Sequence, residues 1–239
     1  MAEIFNFNDE DKKNIELLKK LVVVKSGNYR NFRVKRERVN YCTPVVLYAP
    51  QIYDNSTIEA YLLKNQYDIF KLSYKGSYNK INLLENKENS ILFLGKVYNI
   101  SFDRTLKEDY ILDEENSIIY VKHNINIDYR KKEFYTKQAQ KILSQRLYFY
   151  AEKFNMPIKR LKIKDDKFVW GYCCSDGTIF LNLSLIQTPV ATIDAVVCHE
   201  LAHIMHPNHS KDFYNTLEKL YPTYYKDYIW LNIFMPEKM

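Results

Sequence analysis

Of the chain's five histidines, four fall in one short run, Cys198-His199-Glu200-Leu201-Ala202-His203-Ile204-Met205-His206-Pro207-Asn208-His209. The residues before them predict a helix: Thr188 is a good N-cap, Pro189 fits the first helical position, and Ile193, Val196, Val197, Leu201 and Ile204 recur on one face. Pro207 disfavours helical geometry at His206, so the helix is predicted to stop there. Side chains four apart on a helix share a face. The imidazoles of His199 and His203 can therefore converge on one ion, while Glu200, one step round, can reach a water at the same point. This spacing suits a single Zn2+ ion.

Two imidazoles leave such a site short of a ligand, because catalytic zinc takes three protein groups and keeps one position open. Three residues are candidates. His206 returns to nearly the face of His199 but lies about 10.5 Å along the axis of a continuing helix, too far to share a small tetrahedral ion. His209 lies past the break at Pro207, where a tight turn through Asn208 can swing its ring back, and it is the preferred third ligand. Glu218, on the next helix, is the remaining alternative. A structural zinc site would fill all four positions, usually with cysteine among them. Cys198 points away from the His199/His203 face and Cys173 and Cys174 are tandem, so an open position is expected. With no Cys-x-x-Cys, the four cysteines, Cys42 included, read as free thiols.

The rest of the chain reads as α+β. Leu21–Lys25, Phe32–Arg38, Thr43–Leu47, Ser90–Leu94, Val97–Phe102, Asp109–Leu112 and Ser117–Val121 favour strand and are split by turn signals, which predicts an N-terminal antiparallel β-rich domain over residues 1–127. One helix interrupts it, from Thr57 to Leu72, opened by a capping box of Ser56 and Glu59. Residues 128–239 form the second predicted domain. It opens with a long helix, Asp128–Phe154, free of Gly and Pro, and continues with strands Leu161–Ile163, Phe168–Trp170 and Thr178–Leu183 before the histidine helix. With no run of about 18 apolar residues and no basic, apolar leader, the chain is expected to be soluble and cytoplasmic.

Beyond the histidine run, the sequence Trp170-Gly171-Tyr172-Cys173-Cys174-Ser175-Asp176-Gly177-Thr178-Ile179-Phe180-Leu181-Asn182, with Pro189, Ile193-Asp194, Pro207-Asn208-His209-Ser210, Phe213 and Trp230-Leu231, resembles the YgjP-like metallopeptidase family, a relative of the SprT-like and WLM zinc peptidases. The resemblance implies a zincin-like metallopeptidase domain behind a small β-rich one. It implies His199, His203 and His209 as ligands and Glu200 as the catalytic acid/base. The chain departs from the family's usual residues at Val169, Tyr172, Cys174 and Tyr214.

The chemistry expected is hydrolysis of a peptide or protein substrate by a zinc-activated water, with Glu200 as general base. The strand Thr178–Asn182 is the expected edge for an extended peptide, and Tyr172 or Asn208 could supply a second electrophile. Two other readings differ in class. A zinc-stabilised, non-catalytic interaction module would carry a protein atom in the fourth position. A nucleic-acid-associated protease of the SprT-like kind would use the basic segment Lys25, Arg30, Arg33, Lys35, Arg36 and Arg38. All the excess positive charge is N-terminal, with 8 Lys/Arg against 9 Asp/Glu from Arg160 onward and 27 against 20 before it. A solvated ribbon face explains that segment more simply, so nucleic acid is not favoured.

Overall fold

The computed structural model describes residues 8–38, 44–73, 81–84, 89–122 and 127–235; Cys42 and Thr43, at the start of one expected strand, lie outside them. Two compact units form, one from Met1–Ile81 with Tyr228–Ile233 and one from Asn82–Asp227 with Phe234–Met239. The division expected after residue 127 falls within the second. Among the described residues no helix is long and apolar enough to cross a membrane.

The first unit opens with a helix the hydropathy pattern hides, α1 (Asp9–Leu21). Its start is a reciprocal cap: Asn8 Oδ1 accepts from the Asp11 N–H at 2.8 Å and Asp11 Oδ2 from the Asn8 N–H at 3.1 Å. Acidic residues fill its first turn and Lys19 and Lys20 its last, complementing the helix dipole. Ile15, Leu18 and Leu21 are buried, and the β-branched Val22-Val23-Val24 ends the helix by starting β1 (Val22–Gly27). With β2 (Arg33–Arg36) and β3 (Val45–Pro50) it makes a sheet of order β1-β3-β2.

Here the expected antiparallel pairing needs correction: β3 runs antiparallel to β2 but parallel to β1. The pairing is mixed because the chain reverses between β1 and β2 and again between β2 and β3, so β3, lying between the two, runs in the direction of β1. The helix expected over Thr57–Leu72 is two, α2 (Asn55–Lys64) and α3 (Gln66–Ser73). Asp54 rather than Ser56 caps the first, its carboxylate accepting from the Thr57 N–H at 2.8 Å and from the Ser56 hydroxyl at 3.0 Å. Asn65 ends it, folding its amide back onto the Tyr61 carbonyl at 2.7 Å.

In the basic segment Glu37 bridges Lys25 and Lys35, each at 3.2 Å, and accepts from the Tyr48 hydroxyl. These partners, Tyr48 first, hold the Glu37 carboxyl down at about 2. Two of the cations thus already share one carboxylate.

After a short β4 (Ile81–Asn82), where the chain passes from the first unit to the second, strands β5 (Ser90–Phe93), β6 (Lys96–Phe102), β7 (Tyr110–Asp113) and β8 (Ile118–Val121) form a sheet of order β5-β6-β8-β7 in the second unit. All four fall where β-branched and aromatic residues predict them, although β6 and β8 again pair parallel. The long helix α4 (Ile127–Lys153) buries Tyr135, Ala139, Leu143, Leu147 and Tyr150 at helical spacing. The Tyr135 hydroxyl spans the Leu92 backbone, donating to its carbonyl and accepting from its N–H, both at 3.1 Å.

Next come β9 (Arg160–Lys164), β10 (Gly171–Cys173) and β11 (Thr178–Asn182), in the order β10-β11-β9. Residues 168–170 are not strand, because Asp166 side-chain bonds fold them into a turn. The strand β11 is central, paired antiparallel with β10 and parallel with β9. Both its sides are taken, so it cannot be the substrate edge expected of it; the edge strands of this sheet are β10 and β9.

Candidate metal centre

Past β11 a 3-10 turn (Leu183–Gln187) leads into α5 (Val190–Met205). Thr188 does not cap it. Its hydroxyl donates to the Leu185 carbonyl at 2.8 Å, closing the 3-10 turn, and Pro189 takes the cap position with no side-chain bond. The start of α5 is held instead from outside. The N–H groups of Leu94 and Gly95, in the turn between β5 and β6, donate to the carbonyls of Ile186 and Gln187 at 3.0 and 2.9 Å. Gly95 has φ +80°, and a Cβ there would stand 2.6 Å from the Pro189 ring, so the turn requires glycine.

The helix ends as Pro207 requires, with His206 extended at φ −132°, ψ 99°. A tight turn follows, in which the Ser210 N–H donates to the Asn208 carbonyl at 2.9 Å, and the Ser210 hydroxyl caps α6 (Lys211–Leu220). That reversal carries His209 back over α5. His199, His203 and His209 each present a ring nitrogen, all within 4.8 Å of one another, and the Nε2 atoms of His199 and His209 stand 3.0 Å apart. Phe213, fully buried, lies against all three rings with centroid separations of 4.5 to 4.9 Å.

His206 and Glu218 are not in this cluster. The His206 ring turns away to Thr216, Nε2 to Oγ1 at 3.0 Å, and Glu218 is exposed on α6. His206 contributes through its backbone: its carbonyl lies 3.0 Å from His203 Nδ1. A carbonyl can only accept, so His203 carries its proton on Nδ1 and keeps Nε2 as a lone pair facing the cluster.

Beside the triad Glu200 is 4% exposed, and its Oε2 is buried without a hydrogen-bond partner among the described residues. Burial pushes its carboxyl up to about 8. Burial, and then His203 and His209, push His199 down to about 3, so that ring is neutral. A buried carboxylate oxygen without a partner among the described residues and three gathered imidazole nitrogens are each costly alone. A divalent cation of the borderline-soft kind fits this donor set and relieves both. Gly171 makes the room: a Cβ on it would meet Glu200 Oε1 at 2.9 Å and the Phe180 carbonyl at 3.0 Å.

Residues 33–234 match the YgjP-like metallopeptidase domain. The chain belongs to the YgjP-like metallopeptidase family. It is therefore a peptidase whose family works with a metal ion, acting on peptide or protein substrates. No curated protein matches the sequence. Among solved structures, the metallopeptidase zymogen of Pyrococcus abyssi abylysin is 21% identical, over 35% of this chain and 85% of that one, with a TM-score of 0.32.

In this YgjP-like chain the residues that sequence reasoning left without a role are Gly171, Phe213 and the His206 carbonyl. Only the first had a local signal, since a glycine beside a strand marks a close approach. Tyr172 stacks on Phe180 at 4.3 Å beneath Lys164, and strand alternation puts it on the sheet face opposite Gly171. Asn208 is exposed in the turn.

Proposed function

We propose that His199, His203 and His209 hold one Zn2+ ion and that Glu200 is the general base and acid of peptide-bond hydrolysis. The single observation that carries this reading is the meeting of three ring nitrogens with a buried carboxyl beside them whose Oε2 has no hydrogen-bond partner among the described residues. When bound, the ion supplies Lewis-acid polarisation and acidifies water. Glu200 takes the proton of the attacking water and returns it to the leaving amine; its own carboxyl is buried, so little solvent competes there for that proton. The open edge of β10, beside Glu200 through Gly171, is the place for an extended peptide. We assign this work to residues 128–239, with the β-rich segment 1–127 before it.

The ligand assignment is tested by metal analysis of the purified protein. His209→Ala is expected to lower bound zinc well below one per chain, whereas His206→Ala, which keeps the carbonyl that orients His203, retains it. The opposite pattern would overturn the choice of His209.

Gly171→Ala tests the placement of Glu200. Its methyl group must displace the carboxylate, so kcat is expected to fall roughly tenfold to a hundredfold with zinc content unchanged. Wild-type turnover would mean that Glu200 works from a position Gly171 does not govern.

A further inference from the structure

Phe168, in the turn before β10, is the most exposed large apolar side chain among the described residues, at 93%. One exposed ring means little by itself, but this one is held in place. Asp166 Oδ1 accepts from the backbone N–H groups of Phe168 and Val169 at 2.9 and 3.3 Å. Asn182, 5% exposed on the central strand β11, donates through Nδ2 to the carbonyls of Asp166 and Val169 at 2.6 and 2.7 Å. Lys164 pairs with Asp166 at 3.2 Å. A buried amide thus anchors a solvent-facing turn, whose tip is ordered before any partner arrives and loses little freedom on binding.

The turn also leads directly onto the open edge. Asn182 N–H donates to the Trp170 carbonyl and Cys174 N–H to the Thr178 carbonyl, so the even-numbered residues of this strand face β11. By the alternation of an antiparallel ladder, the backbone N–H and C=O of Gly171 and Cys173 point outward. An extended chain bonded to them lies beside Glu200. At about 3.3 Å per residue, Phe168 is within about 10 Å of Gly171 along this strand direction, a step of two or three residues for the bound chain.

We propose that Phe168, with Val169 beside it, is the specificity-determining contact of this peptidase, receiving a large apolar side chain of an extended polypeptide two or three residues from the cleaved bond. This rests on the placement of substrate along β10 given above.

The probes are fluorescent peptides of alanine and serine carrying one leucine at a scanned position. Their affinity is measured by anisotropy on zinc-loaded Glu200→Gln protein, which does not consume them, with and without Phe168→Ser. Leucine at one register is expected to tighten binding about tenfold, and Phe168→Ser to bring that preference towards one. Because Phe168 buries almost nothing, an unchanged melting curve confirms that the variant is folded. A leucine preference that survives Phe168→Ser, or the absence of one at every register, overturns the proposal. Cleavage of the same peptides by the wild-type enzyme separates the two ideas. Cleavage without leucine preference sinks the Phe168 contact alone, and a Phe168-dependent leucine preference without cleavage sinks the hydrolytic assignment of Glu200 alone.

Discussion

Glu200→Gln is expected to bind zinc as the wild type does and to lose peptide hydrolysis by about 10³-fold, the usual worth of a positioned general base together with the return of its proton. The substitution is close to isosteric. It keeps the packing against Gly171 and removes only the capacity to take up a proton, and among the described residues Glu200 has no partner at Oε2 whose loss could disturb the fold. A neutral amide is also easier to bury than a carboxyl that burial already drives up to about 8. Zinc content and turnover, measured on one preparation, give a clear reading. Metal retained with activity gone supports the base, whereas metal retained with activity near the wild-type level removes Glu200 from the mechanism. Loss of both would place Glu200 in the integrity of the triad instead.

The histidine cluster was more legible in the sequence than the frame that carries it. The run from His199 to His209 encodes its own geometry, because helical periodicity fixes His199 and His203 and Pro207 fixes where the helix must end. Local chemistry of that kind survives folding unchanged. Strand existence was equally plain in β5 to β8, where composition is strongly β-favouring. Strand pairing was not: whether β1 joins β3 parallel, or β11 is central rather than an edge, depends on contacts distant in sequence that no local pattern reports. The helix α1 escaped because its buried residues are few among many charges, although Asn8 and Asp11 wrote a capping box at its start. Gly171 and Phe213 show the same limit within the site. One provides space and the other a floor under three rings, roles defined by neighbours and not by residue type.

What keeps α5 in register with α4 should be Arg146, and Arg146→Met is expected to destabilise the second unit by about 3 kcal/mol at neutral pH. The guanidinium meets Asp194 in a two-point contact, Nε to Oδ1 at 2.5 Å and Nη2 to Oδ2 at 2.7 Å, and the Tyr150 hydroxyl donates to the same carboxylate at 3.2 Å. The Asp194 side chain is 9% exposed and that of Arg146 29%. Removing the arginine therefore strands a buried carboxylate, while solvent access on the arginine side keeps the cost at the lower end for a broken buried pair. Burial raises the Asp194 carboxyl above its ordinary value even with Arg146 beside it. Without the arginine it must rise further. A carboxyl raised by folding favours the folded state below its unfolded value and loses that advantage as pH climbs through the folded one. The penalty of Arg146→Met should thus be smallest in acid, where Asp194 is protonated whether folded or not, and grow towards neutrality. Denaturant midpoints across that range test the sign, and a penalty independent of pH would mean that Arg146 acts by packing over Phe149 and Tyr150 rather than by charge. The double variant Arg146→Met with Asp194→Leu should recover part of the loss, since no buried charge is then unpaired and the remaining cost is the Tyr150 hydroxyl that has lost its acceptor.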